Sequence, residues 1–96
     1  GTIIKAEVNT SLKKPSIVLL IDFGSEIGIK KSSAQLTTNN NHDDIINKQI
    51  AAVVNFKPKQ IGGLLSEVLV LGFPDDNEEP VLISPDKKIK NGAKFF

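Results

Sequence analysis

The sequence predicts an all-β domain with one short helix, a five-stranded barrel followed by a short extra C-terminal strand. Three observations predict it. Apolar runs of strand length recur at short intervals, bounded by Gly, Pro, Asn or Ser. One acid-started helical turn falls after the third run. The 96 residues make a single domain, residues 1–96, with one core.

Residues 2–8 alternate weakly and form the first strand. In the loop "NTSLKKPS", Pro15 stops any ladder ahead of the second strand. "SIVLLIDF", residues 16–23, is a near-continuous apolar run of strand length. Gly24 and Gly28 bracket "SEI", which gives a tight reversal into a third strand over residues 29–36. That strand changes phase, because Ile29 is apolar at an odd position and Ala34 and Leu36 at even ones. Both ends face inward only if a bulge near residues 31–33 interrupts the pairing. Ile29 and Leu36 are then buried, while Lys31 and Gln35 are exposed.

"TTNNNHDD" is a polar loop, and "HDDIINKQ" supplies the helical turn, with Asp43 or Asp44 near the positive end of its dipole. "QIAAVVNF" and "EVLVLGF" are two more buried strands, with "KPKQIGGLLS" as the connection between them. The acidic "PDDNEEP" turns the chain into a last strand, "VLIS". Turn chemistry recurs at Pro85-Asp86 and Asn91-Gly92. A helix between strands three and four favours a Greek-key barrel of the OB type, which binds along one open face and its loops.

Composition narrows the function classes. Forty per cent apolar and 24% charged residues describe a soluble globular chain. No apolar run reaches the length of a membrane span. The absence of cysteine excludes a disulfide scaffold and thiolate metal sites, and fits a cytoplasmic location. Net charge is only +1, but Asp75, Asp76, Glu78 and Glu79 concentrate four of the eleven acids in one turn. The remainder carries 12 bases against 7 acids, and all twelve bases are lysine. Lysine is a point charge that suits phosphate contact better than bidentate base reading. A compositional bias toward Lys, Asn and Ile accounts for it equally well.

Catalytic and metal motifs are sparse. His42 is the only histidine, and its neighbours Asp43 and Asp44 do not complete a ligand set, so it reads as a loop residue. "GSEIG" is not a nucleophile elbow, since the serine is misplaced between the glycines. Ser32 and Ser33 have no base in view, and the acids of "DDNEE" read as a solvated turn. "IGGLLS" lacks the lysine and spacing of a phosphate loop. The reading is a non-enzymatic chain with no cofactor and no metal.

Two segments remain, "KKSSAQ" and "NFKPKQ". Each ends or interrupts an apolar run with lysines and hydroxyl or amide groups. Lysine for phosphate and Ser, Asn or Gln for sugar and base edges is the chemistry of RNA loop recognition. Two solvated edges would have the same composition. No Tyr, Trp or Arg is present to stack a base.

At these segments "IDFGSEIGIKKSSAQLT", "NKQIAAVVNFKPKQIGGLLSEVLVLG" and "PDKKIKNGAK" together resemble the CsaA-type secretion chaperones. These belong to the wider tRNA-binding-domain family, found also at the C-termini of methionyl-tRNA synthetases. The resemblance spans nearly the whole chain in order. It implies an OB-fold, a cytoplasmic homodimer, tRNA binding without catalysis, and a role in holding unfolded secretory polypeptides. Carried over residue by residue, it places Lys30, Lys31, Ser32, Ser33 and Gln35 on the RNA-facing side of the third strand. Asn55, Lys57 and Lys59 match the family's Asn-apolar-Lys-Pro-basic segment, and Ser66 and Glu67 its Ser-Glu pair. Family members open with a helix and a fuller first strand than this chain shows, and often carry arginine near Lys59 and Gln60.

Three functions follow as expectations. The first is tRNA binding by shape and backbone on the third strand and adjacent loops. The second is a holdase gripping extended apolar polypeptide at a dimer groove. The third is a structural dimerisation domain, with Ile89, Phe95 and Phe96 as the apolar residues a second copy would cover.

Overall fold

The computed structural model describes residues 1–9, 16–35, 44–55, 57–61 and 64–94. The three longest strands form one antiparallel sheet in the order β1 (Thr2–Asn9), β2 (Ser16–Asp22), β3 (Ile29–Gln35). β2, whose run is apolar on both faces, lies in the middle, flanked by two strands that mix apolar and polar residues. Its inward side chains Ile17, Leu19 and Ile21 are buried with Ile3 and Ala6 of β1. Phe23, Ile45, Ile50 and Val68 complete that core from the surrounding segments.

The remaining strands are short and pair two by two. β4 (Ala52–Val53) pairs with β7 (Leu69–Val70), and β5 (Lys59–Ile61) with β6 (Leu64–Ser66). β8 (Gly72–Pro74) pairs with β9 (Pro80–Leu82), the expected C-terminal strand. Single bonds link these pieces: Leu71 N donates to Ala51 O, and Ala51 N to Ile83 O. An isolated bridge joins Thr2 to Gln49. The architecture is all-β and consistent with an OB-like arrangement. Among the described residues, however, no continuous ladder closes a five-stranded barrel.

Three expectations are corrected here. First, the helix does not form among the described residues. Residues 44–47 make a turn in which Lys48 N donates to Ile45 O, and Asn47 takes a left-handed φ of 72° that ends any helical path. Asn47 N donates to Ile3 O instead, so the turn is tied to β1 while Ile45 enters the core. His42 lies outside the described residues.

Second, β3 has no bulge. Its register against β2 runs without a break from Ser16↔Gln35 to Asp22↔Ile29. Ile29 is simply left outside, 56% exposed. Lys31 is exposed as expected, and Leu36 lies outside the described residues. A separate irregularity lies in β1, where the register shifts between Ile3 and Lys5 and Ile4 is the extra, exposed residue. That bulge is what allows Ile3 and Ala6, of opposite parity, both to face the core.

Third, "KPKQIGGLLS" is not a plain connection but the β5–β6 hairpin. The pairing Ile61↔Leu64 leaves only residues 62 and 63 between the strands.

The turns behave as their residues dictate. Gly24 and Gly28, at φ 92° and 86°, frame the β2–β3 reversal, with Phe23 N donating to Gly28 O and Gly28 N to Gly24 O. In the acidic turn, Asp75 Oδ1 accepts from Asn77 N and Glu79 N, so one of the four carboxylates organises the loop.

Candidate nucleic-acid interface

The unbroken register of β3 sends successive side chains to opposite faces. Lys30 shares the parity of the buried Ser32 and is half-buried, whereas Lys31 and Ser33 lie on the outer face. The two adjacent lysines therefore do not converge, contrary to what a bulge would have produced. The backbone of Gln35 pairs with Ser16 at the end of the strand.

On the outer face the pairing makes two rows across the sheet, Lys5–Leu20–Lys31 and Glu7–Val18–Ser33. Lys5 is neutralised by Glu7 at 3.0 Å. An exposed pair of this kind adds little stability, but it cancels the charge on the β1 side of the face. Lys31 has no such ion pair among the described residues. Positive charge is therefore weighted toward β3, beside the half-buried aliphatic surface of Val18 and Leu20. The near-continuous apolar run of residues 16–23 carried no signal that these two side chains face out.

The free edge of β3 meets the end of β6. Glu67 N donates to Lys31 O at 2.8 Å, and Lys31 N donates to Glu67 Oε1 at 3.0 Å. Ser33 N donates to Ser66 Oγ at 3.4 Å. Ser32 and Ser66, each 1% exposed, bring their Oγ atoms to 3.3 Å from one another and to 3.0 and 2.9 Å from Val68 O. Ser32 and Ser66 thus present no side chain to a ligand, and the Glu67 carboxylate is turned to a backbone amide.

The second segment joins the first through β6. Lys59 stands in register opposite Ser66, the residue that touches Ser32 and Ser33. Asn55 and Lys57 are exposed on the stretch leading from β4 into β5. Of the ten residues expected at the site, the structure brings Lys31, Ser32, Ser33, Ser66 and Glu67 into direct contact. It places Lys59 one strand further along and separates Lys30 by face. No group of three or more His, Cys, Asp or Glu placed to hold a metal occurs among the described residues. No described helix is long and apolar enough to cross a membrane.

A lysine-bearing outer sheet face continued onto a neighbouring lysine-bearing hairpin is an arrangement that nucleic-acid-binding β domains use. Residues 1–94 match the family described as putative tRNA binding domain, and the chain belongs to that family. Within it, the chain resembles the CsaA branch. The crystal structure of chaperone CsaA from Bacillus anthracis str. Ames superimposes with a TM-score of 0.89 at 47% identity, covering 100% of this chain and 86% of that one. CsaA chaperone protein from Picrophilus torridus gives 0.87 at 44% identity, covering 99% and 86%. Methionine–tRNA ligase from Pyrococcus horikoshii is 33% identical over 98% of this chain, which corresponds to 12% of the ligase. The chain thus spans about a tenth of the length of the ligases it matches.

Proposed function

We propose that the chain binds tRNA by backbone and shape, using the outer face of β3 and the lysines of residues 57–59. The carrying observation is the joint between β3 and β6. It sets the Lys31–Ser33 face beside the hairpin that begins at Lys59. Lys31, Lys57 and Lys59 supply phosphate contacts, and Ser33, Gln35 and Asn55 supply hydrogen bonds to sugar or base edges. Lys30, on the other face, contributes less.

The test is the salt dependence of tRNA binding. Each lysine that neutralises a phosphate contributes about 0.7 to the slope of log affinity against log salt for single-stranded RNA. Lys31→Ala with Lys57→Ala lowers that slope by roughly 1 to 1.5, with similar losses across RNA sequences. Lys87→Ala with Lys88→Ala, on the exposed C-terminal turn, is the control. An equal effect in the control means that diffuse charge holds the RNA.

A second reading, a cytoplasmic export-related holdase for extended polypeptide, has its own observation. A groove of ≈ 680 Å³ is lined by Ile27, Ala52, Val54, Ile83, Pro85 and Ile89. Its exposed members Val54 and Ile89 are apolar surface that either a polypeptide or a second copy of the chain would cover. Peptide held there resists salt that releases RNA. Ile89→Asp abolishes peptide capture under this reading and leaves tRNA binding intact.

A further inference from the structure

We infer that Ser66 and Glu67 act as a lock on the open edge of β3 that holds Lys31 and Ser33 in their outward orientation. In this role Glu67 is a positioning residue and not a contact to RNA. The inference rests on the tRNA reading for its functional consequence, but the lock itself is a feature of the fold.

β3 is the last strand of its sheet, so alternate backbone groups have no ladder partner. Lys31 directs both its N–H and its C=O away from β2, and Glu67 answers both. The Glu67 main-chain N–H takes the carbonyl at 2.8 Å, and its Oε1 takes the amide at 3.0 Å. Two residues on, Ser66 Oγ accepts the Ser33 amide. A neighbouring strand would satisfy these groups with its own backbone, and here two side chains and one amide do so instead.

The buried serines fix the lock from below. A hydroxyl has one proton, and Ser66 spends it on Val68 O at 2.9 Å, leaving its lone pairs to accept from Ser33 N. Ser32 has the choice of Val68 O at 3.0 Å or Ser66 Oγ at 3.3 Å. β3 and the bend at residues 67–68 are therefore tied by contacts 33 to 36 residues apart in the chain.

The arrangement resolves an electrostatic puzzle. A carboxylate next to a phosphate-binding lysine repels RNA, yet Glu67 adjoins Lys31. Its oxygen is committed to the backbone that carries that lysine. Deleting the carboxylate therefore has opposite signs under the two accounts. If Glu67 acts only as a charge, Glu67→Ala tightens RNA binding. If it positions Lys31, Glu67→Ala weakens binding although a negative charge has been removed.

The experiment measures tRNA affinity over a salt series, with amide hydrogen exchange on the free protein. Under the lock, Glu67→Ala weakens tRNA binding about three- to tenfold, the effect of one lost hydrogen bond. Its salt slope falls by about 0.7, as Lys31→Ala does, and the double variant is no worse than either single one. Glu67→Gln keeps the Oε1 acceptor and restores binding. In Glu67→Ala the Lys31 amide exchanges at least about tenfold faster, while the Lys30 and Ser32 amides, which face β2, keep their protection. Unchanged exchange at Lys31, or a Glu67→Ala variant that binds tRNA as tightly as wild type or more so, overturns the lock. A wild-type protein that fails to bind tRNA overturns the function proposed above. The exchange measurement then decides the lock by itself.

Discussion

The β1–β3 sheet and the segment from residue 49 to residue 94 are held together by different means. The sheet has strands of seven or eight residues in continuous register, and its inner face supplies Ile3, Ala6, Ile17, Leu19 and Ile21 to the core. The second region has strands of two or three residues, six of its thirteen large apolar side chains exposed among the described residues, and single-point ties. Gln49 is representative of those ties. Its Nε2 donates to Ile89 O at 2.6 Å and its Oε1 accepts from Ile89 N at 3.0 Å, so one side chain replaces a stretch of ladder. Thr2 Oγ1 reaches Asn91 Oδ1 from the other side. The lesson is that the sheet supplies five of the nine buried apolar side chains among the described residues, while the rest is fitted to it through Phe23, Ile45, Ile50, Val68 and individual polar ties. The candidate interface lies where the two regimes meet.

The largest expected effect lies in the sheet. Leu19→Ala deletes a fully buried side chain from the middle strand and costs about 2–5 kcal/mol, read as a lowered midpoint in urea unfolding. A loss below about 1 kcal/mol would break the comparison, because the sheet would then not carry the core.

Next is the joint between the regions. Gly92 has φ 90°, and a Cβ there would stand 2.6 Å from Phe23 O, so the C-terminal turn packs backbone against backbone on the end of β2. Gly92→Ala costs about 1–3 kcal/mol by the same measurement. If it is neutral, the tail is not seated on the sheet.

The smallest effect is a gain. Glu78 sits at φ 62° in the acidic turn, a left-handed conformation that suits glycine better. Glu78→Gly raises stability by up to about 1 kcal/mol, with unfolding by urea as the readout. A loss instead would show that the Glu78 side chain supports the β8–β9 hairpin.

Much of the sheet and part of the site were legible in the residues. The run of residues 16–23 has the length of a strand between turn signals, and the Gly24–Gly28 reversal follows from glycine tolerance of positive φ. Exposed Lys31, Asn55 and Lys57 were legible because lysine and asparagine are seldom fully buried. Ser32 and Ser66 were not legible. A serine in a strand carries no local signal of whether it faces solvent or a carbonyl 36 residues away. Lys30 was placed on one face with Lys31 because Ile29 was expected to be buried, which would have required a bulge in β3, whereas Ile29 is exposed. A break in hydrophobic alternation can be met by a bulge or by leaving one apolar side chain outside, and only the pairing shows which.

By itself, then, the sequence determined the β class, the long apolar strands, their turns and the exposure of Lys31, since all of these arise from neighbours in the chain and their preferred dihedrals. The tertiary structure alone decided that residues 44–47 turn instead of continuing as a helix, because Asn47 N is drawn to Ile3 O. It also decided that the bulge falls at Ile4, and that Ser66 and Glu67 serve the backbone of β3. Each of these rests on a hydrogen bond or a register between segments distant in sequence. Such contacts are chosen by which buried polar groups would otherwise go unpaired, a competition that no local pattern of residues records.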